Sequence, residues 1–313
     1  MGLLQRGKWV DQWYDTDSSG GEFKRQDSRF RHWITAQGED NRFIAESDRY
    51  HLFVSLACPW AHRTLIFRVL KQLQTHIGVT VVKPLMLENG WEFCSGGDDL
   101  YGLDFLYELY LKANPNYEGR VTVPLLWDKK QQCIVNNESA DIIRIFNSAF
   151  NQITGNRDDY YPEPLRKDID AINQRVYDTI NNGVYRAGFA TSQSAYEKAY
   201  TALFASLDWV DDLLSQQPYL VGGKLTEADW RLFTTLIRFD AVYHGHFKCN
   251  RNKLAEYRHI PGYMERLYGM PGVAETVNFD HIKQHYYGSH KTINPFGIIP
   301  AGPKPDFGPF ARQ

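Results

Sequence analysis

Apolar positions change their spacing partway along this chain. From Arg49 to Ser55 they run almost unbroken through Tyr50, Leu52, Phe53 and Val54, which predicts a buried strand. Leu56–Pro59 breaks the run. From about Trp60 to Gln74, Ile66, Val69, Leu70 and Leu73 recur at i, i+3, i+4 and i+7, one face of a helix. A second strand is predicted over Val79–Lys83 and is closed by Pro84. Residues 84–119 read as a long insertion with a helix near Leu103–Leu111. Val121–Trp127 predicts a third strand with Pro124 inside it. Proline has no N–H for a ladder, so Pro124 belongs at an edge, at a bend or after a cis bond. Gln132–Val135 predicts a short fourth strand, and Asn136–Ser139 then opens a helix with Ile142, Ile143 and Phe146 on its apolar side.

Beyond Tyr161–Pro164 no strand pattern recurs. Tyr196, Tyr200, Leu203, Phe204, Leu207, Val210 and Leu214 keep helical spacing. Thr226–Asp229 has the form of a capping box, with Asp in the place of Glu. Residues 1–42, rich in Asp, Arg, Ser and Gly with scattered Trp and Phe, read as an irregular arm. The expected organisation is this arm, an α/β domain over 43–150, a linker over 151–164, and a helical domain with a C-terminal tail over 165–313.

Composition narrows the function classes. At 313 residues two domains are expected. Hydrophobic residues make up 43% and charged residues 23%, a soluble protein's balance. Lys plus Arg is 35 against 37 Asp plus Glu, without the basic excess of a nucleic-acid binder. No apolar run approaches the roughly 18 residues of a membrane span, and the N-terminus lacks the apolar core of a signal peptide. The four cysteines, Cys58, Cys94, Cys133 and Cys249, form no C-x-x-C pair and no disulfide scaffold, so free thiols in a reducing cytoplasm are expected. His244-Gly-His246 with Cys249 lacks the further partners of a zinc site; it reads as a loop with solvent-facing histidines, and no metal is expected. Gly222-Gly-Lys224 lacks phosphate-loop spacing.

Cys58-Pro-Trp-Ala61 carries the sharpest chemistry. Strand before and amphipathic helix after put Cys58 at a helix N-terminus, with Pro59 at the first helical position, where a missing N–H costs nothing. Free amides and the helix dipole favour an anion there, and His62 and Arg63 add positive potential. Such surroundings lower a thiol pKa well below its usual value of about 8.5. The competing reading is a buried structural cysteine at a strand end. Ala61 stands where a resolving thiol would be, so a mixed disulfide formed at Cys58 needs a second, external thiol to release it. Glu138-Ser139 at a helix start admits two readings, a helix cap or a ligand for an amino acid's charged end. Trp91 is as readily a packing residue.

Strand–Cys-Pro-x-x–helix, Val-Pro before a strand, Glu-Ser opening a helix and a helical second half together resemble a glutathione transferase. The closer resemblance is to the Xi class, the glutathionyl-hydroquinone reductases. It rests on Cys58-Pro-Trp-Ala-His-Arg63, Gly119-Arg-Val-Thr-Val-Pro124, Ile134-Val-Asn-Asn-Glu-Ser139, Asn182-Gly-Val-Tyr-Arg-Ala-Gly188 and Thr292-Ile-Asn-Pro295, and runs over nearly the whole chain. It implies a thioredoxin-like N-terminal domain followed by an all-helical domain. It implies glutathione as cosubstrate, held by Trp91, Arg120, Val121, Thr122, Val123, Glu138 and Ser139, with Pro124 cis and Val123 pairing with the ligand like an added strand. It implies Cys58, Tyr185, Tyr243 and Tyr286 as the catalytic set, Tyr287 being a rival for the last. The implied activity is reduction of an aromatic glutathionyl-hydroquinone with release of glutathione disulfide, in a homodimer. A thiol transferase or dehydroascorbate reductase of the same fold, which would not need the tyrosines, is one alternative. A catalytically idle interaction module of that fold is the other.

Overall fold

The computed structural model describes residues 2–37, 42–303 and 307. The chain divides into two compact units that alternate along the sequence. The first comprises Met1–Trp13 and Gln26–Asp158, the second Tyr14–Arg25 and Asp159–Gln313.

The first unit opens with β1 (Leu3–Gln5) and β2 (Lys8–Val10), an antiparallel hairpin where the sequence suggested irregular chain. Strands this short leave no periodicity to read. β3 (Tyr50–Val54) is buried at every position, as a central strand's unbroken apolar run requires. α1 (Pro59–Leu70) follows and ends four residues before the predicted Gln74, where Gln72 takes a positive φ of 56°. β4 (Ile77–Val81) pairs parallel with β3. The insertion holds a small hairpin, β5 (Met86–Leu87) and β6 (Gly90–Trp91), then α2 (Leu106–Ala113). β7 (Gly119–Arg120) adds to the N-terminal hairpin through β1.

The Val123–Pro124 bond is cis, and β8 (Leu125–Asp128) begins only after it, later than the predicted Val121. β9 (Cys133–Asn136) and α3 (Ser139–Ser148) follow as the pattern predicts. The main sheet has the order β4-β3-β8-β9, with β8 antiparallel to both neighbours, and α1 packs against α3. α4 (Asn151–Thr154) is a single turn inside the expected linker.

The second unit is helical: α5 (Arg166–Val176), α6 (Gly183–Gly188), α7 (Gln193–Leu214), α8 (Glu227–Arg238), α9 (His244–His246), α10 (Ile260–Tyr268) and α11 (Phe279–Ser289). The capping box forms: the Thr226 N–H donates to Asp229 Oδ2 at 2.8 Å. α8 is buried along its whole length, so it is the hub of the bundle. Wide π turns at Tyr177–Asn181 and Phe239–Tyr243 lead into α6 and α9. Each inserts a residue into the helical repeat and turns the following side chains onto a new face. Among the described residues no helix is long and apolar enough to cross a membrane.

Candidate active site

The first unit builds a sulfur site from two helix starts and one loop. Cys58 is the N-cap of α1, in extended conformation, with Pro59 in the first turn. The Ala61 N–H donates to Cys58 Sγ at 3.5 Å, which favours the thiolate. The thiol itself lies 3.6 Å from the Val123 carbonyl, to which it donates, and that contact favours the protonated form. Val123 is buried at 6% exposure. The Val123 N–H, beside the cis bond, has no hydrogen-bond partner among the described residues.

Arg63, 1% exposed, lies over the Trp60 ring at 4.6 Å and donates to Ser139 Oγ at 3.4 Å. It therefore ties the start of α1 to the start of α3. Glu138 is the N-cap of α3: Oε1 accepts from the Ala140 N–H at 3.1 Å, and Oε2 from Ser28 Oγ at 3.0 Å. The cap reading of Glu138 is thus a fact of this structure, and it leaves lone pairs for a ligand. Thr122 is held by Tyr110, whose hydroxyl donates to the Thr122 carbonyl at 2.9 Å and accepts from its N–H at 3.2 Å. Val121 and Trp91 are buried, Trp91 in β6. Arg120 reaches the N-terminal segment, donating to the Gln12 carbonyl and, at 2.9 Å, to that of Trp13.

The other cysteines are unlike Cys58. Cys94 is exposed, and burial pushes the Cys133 and Cys249 thiols up.

The second unit brings the three tyrosines together. Tyr185 Oη lies 2.6 Å from Tyr286 Oη, which lies 3.0 Å from Tyr243 Oη. The three hydroxyls form a chain with Tyr286 in the middle. Burial pushes Tyr243 and Tyr286 well above the usual phenol range, so both are neutral donors. Tyr185, at 9%, is the most exposed of the three. Tyr287 turns elsewhere: its hydroxyl donates to the Ala241 carbonyl at 3.4 Å and its ring packs on His246. Phe247 stacks on Tyr243, and a Cβ on Gly188 would come within 2.2 Å of its ring, so only glycine fits there.

His246 is a correction to the sequence reading. It is 5% exposed, its Nε2 lies 3.1 Å from His290 Nδ1, and burial lowers it to about 4. Residues 244–246 are a helical turn, not a loop, and it turns His246 inward while His244 stays half-buried and Gly245 exposed. Among the described residues no group of three or more His, Cys, Asp or Glu is placed to hold a metal ion.

Sequence reasoning missed Ser28, Tyr110 and Arg25. Arg25 Nε donates to Asn182 Oδ1 at 3.0 Å, and its guanidinium lies 5.0 Å from the centre of the Tyr185 ring. No periodic signal marks such residues, because each acts through a contact distant in sequence. A cavity of about 470 Å³ opens beside Arg25, Phe23, Asn182 and Gly183; none of the three tyrosines lines it.

Comparison with known proteins places these features in context. Residues 57–149 match the profile of the glutathione S-transferase N-terminal domain, and residues 193–266 that of the C-terminal domain. The chain is 57% identical over 98% of its length, and 96% of the relative's, to the glutathionyl-hydroquinone reductase YqjG of Escherichia coli K12. The glutathione-bound structure of that relative superposes with a TM-score of 0.90 at 53% identity, over 98% of this chain and 97% of the other. The glutathionyl-hydroquinone reductase PcpF of Sphingobium chlorophenolicum is 53% identical, over 97% of this chain and 96% of its own. A Xi glutathione-S-transferase from Phanerochaete chrysosporium superposes with a TM-score of 0.88 at 52% identity, over 90% of this chain and 98% of that one.

Proposed function

The chain belongs to the glutathione S-transferase family, in its Xi class, and on that footing we propose that it reduces glutathionyl-hydroquinones with glutathione through Cys58. The observation that carries this reading is the seat of Cys58: a lone thiol on the first turn of α1, with the Ala61 N–H aimed at its sulfur. A lone thiolate at a helix N-terminus is a nucleophile for sulfur.

Glutathione fits the residues around it. The Val123 N–H and carbonyl suit a strand-like ligand. A ligand amide that competes for that carbonyl weakens its long contact with the Cys58 thiol and so moves the balance toward thiolate. Glu138, Ser139 and the start of α3 suit the γ-glutamyl end, with its ammonium on Glu138 and its carboxylate on Ser139 and the helix amides.

The chemistry then proceeds in balanced steps. A bare aryl carbanion is too poor a leaving group, so the ring first takes a keto form. Tyr185 protonates the ring carbon that bears sulfur, and its phenolate then takes the proton that a ring hydroxyl gives up, so Tyr185 is restored and the ring is left as the ketone. Cys58 thiolate attacks the glutathionyl sulfur: a sulfur–sulfur bond forms, the carbon–sulfur bond breaks, and its electron pair becomes an enolate. Proton uptake restores the hydroquinone. A second glutathione thiolate attacks the Cys58 mixed disulfide, releasing glutathione disulfide and regenerating Cys58. Tyr286 holds the Tyr185 oxygen, and Tyr243 holds that of Tyr286. The four cysteines are free thiols, which suits a reducing compartment such as the cytoplasm; the homodimer is supported by the family resemblance.

Intact mass spectrometry tests this. One equivalent of a glutathionyl-hydroquinone without free glutathione should leave one glutathione adduct, on Cys58, and Cys58→Ser should abolish turnover. An adduct on Cys94, Cys133 or Cys249 with none on Cys58 would sink the mechanism. Reduction of hydroxyethyl disulfide without turnover of the conjugate would favour a general thiol transferase.

A further inference from the structure

Among the described residues, Tyr185 is the one of the three tyrosines with a guanidinium over its ring. Arg25 comes from the Tyr14–Arg25 segment of the second unit. Its guanidinium carbon lies 5.0 Å from the Tyr185 ring centre and 5.6 Å from that of Phe23. Phe23 is 2% exposed and tilts against the Tyr185 ring at 6.4 Å. Asn182, 3% exposed and three residues before Tyr185, fixes the guanidinium by accepting from Nε at 3.0 Å. The cation is therefore held over the ring by a buried amide of the same segment that carries the phenol.

We propose that Arg25 is a positioning residue for the reduction, acting through Tyr185 by stabilising the phenolate left when Tyr185 gives its proton to the substrate ring; this rests on the reading of Tyr185 as proton donor. A phenolate spreads its charge over the ring, so a cation facing the ring is attracted more strongly after proton transfer than before. That difference acts on the transition state and not on substrate binding. Other groups face this oxygen too. Tyr286 touches it from α11, and Tyr243 touches Tyr286 from the turn before α9. Arg238, at the end of α8, favours ionisation of Tyr243 and Tyr286. His290, His285 and His246 lie behind Tyr286 and Phe247. With burial pushing Tyr243 and Tyr286 up, Arg25 makes Tyr185 the member of the chain that ionises.

The test uses the full chain and the glutathione conjugate of a 1,4-hydroquinone, with hydroxyethyl disulfide as control. Arg25→Gln should lower kcat for the conjugate about fivefold or more, with KM for glutathione unchanged. The alkaline limb of the kcat–pH profile should move upward, because Tyr185 ionises less readily. Arg25→Lys should recover part of both, and disulfide reduction should stay within about twofold. In a Tyr185→Phe background, Arg25→Gln should cost nothing further. Full multiplicative loss in the double variant, equal loss on the disulfide, or an unmoved pH limb would overturn the proposal. If Tyr185→Phe alone leaves conjugate turnover intact, the proton-donor reading falls and this inference with it. If Tyr185→Phe loses turnover while Arg25→Gln does not, only the inference falls. Asn182→Ala keeps the charge but unties it; a smaller loss in the same direction is expected, and an effect on the disulfide alone would count against the idea.

Discussion

Replacing Tyr286 by Phe removes one oxygen and cuts the hydroxyl chain at its middle. Tyr286 Oη is 2.6 Å from Tyr185 and 3.0 Å from Tyr243, in a side chain 1% exposed. The ring stays, so the packing against Phe247 at 5.7 Å is retained. In the proposed mechanism the Tyr185 phenolate then loses a hydrogen bond of the charged kind, worth about 1.5–3 kcal/mol. That is roughly a ten- to hundredfold loss of kcat for the glutathionyl-hydroquinone. Tyr243→Phe removes the far end only and leaves the 2.6 Å contact, so its loss should stay below about fivefold, the second-neighbour share of a polarised chain. The order of damage is therefore Tyr185→Phe, then Tyr286→Phe, then Tyr243→Phe. Steady-state turnover of the conjugate at saturating glutathione reads the order, and hydroxyethyl disulfide, which needs no ring proton, should be reduced nearly as well by all three. Thermal melting should show a drop of a few degrees for Tyr286→Phe, since Tyr243 loses a buried partner. A Tyr243→Phe loss as large as that of Tyr286→Phe would refute the chain as the route of stabilisation. So would equal losses on both substrates.

Two other outcomes follow from the geometry. Glu138→Gln keeps an acceptor for the Ala140 N–H and so keeps the cap, with melting temperature little changed, while glutathione affinity should fall roughly tenfold or more as the charge is lost; unchanged affinity by calorimetry would make Glu138 a cap alone. Burial lowers His51, His246 and His281 from 6.5 to about 4. The unfolded chain binds more protons than the folded one between those values, so stability is full above about pH 6.5 and falls as pH drops toward 4, by up to about 3 kcal/mol per histidine. Urea midpoints should drop over that window, and a midpoint that rises on acidification would contradict the burial argument.

The parts legible in the sequence were those whose signal is local. An unbroken apolar run marked β3, a Cys-Pro step at a strand–helix junction marked the sulfur site, and Thr226–Asp229 marked the start of α8. The rest is decided by partners far along the chain. β1 is a strand because β2 and β7 pair with it on its two sides, and three-residue strands carry no alternation. His246 looks like a loop residue until His290, 44 positions later, is seen to meet it. Tyr286 and Tyr287 are equivalent in sequence; the helical turn sends one to Tyr185 and the other to Ala241. Arg25 sits in a polar stretch, and only Asn182 and the Tyr185 ring reveal its place.

The alternation of the two units along the chain also sets a timetable for synthesis. Ser192 donates to the Gly20 carbonyl across 172 residues, and the Thr191 N–H donates to that of Gly21. Residues 14–25 leave the ribosome long before those partners exist. At about 5–20 residues per second, the wait is on the order of ten to thirty seconds, with Phe23 lacking its pocket throughout. A nascent chain in that interval is a client for a chaperone and a target for a protease. One cut near residue 26 would sever the covalent tie between Arg25 and the helices α5–α11, leaving it held to the second unit only by contacts such as that with Asn182.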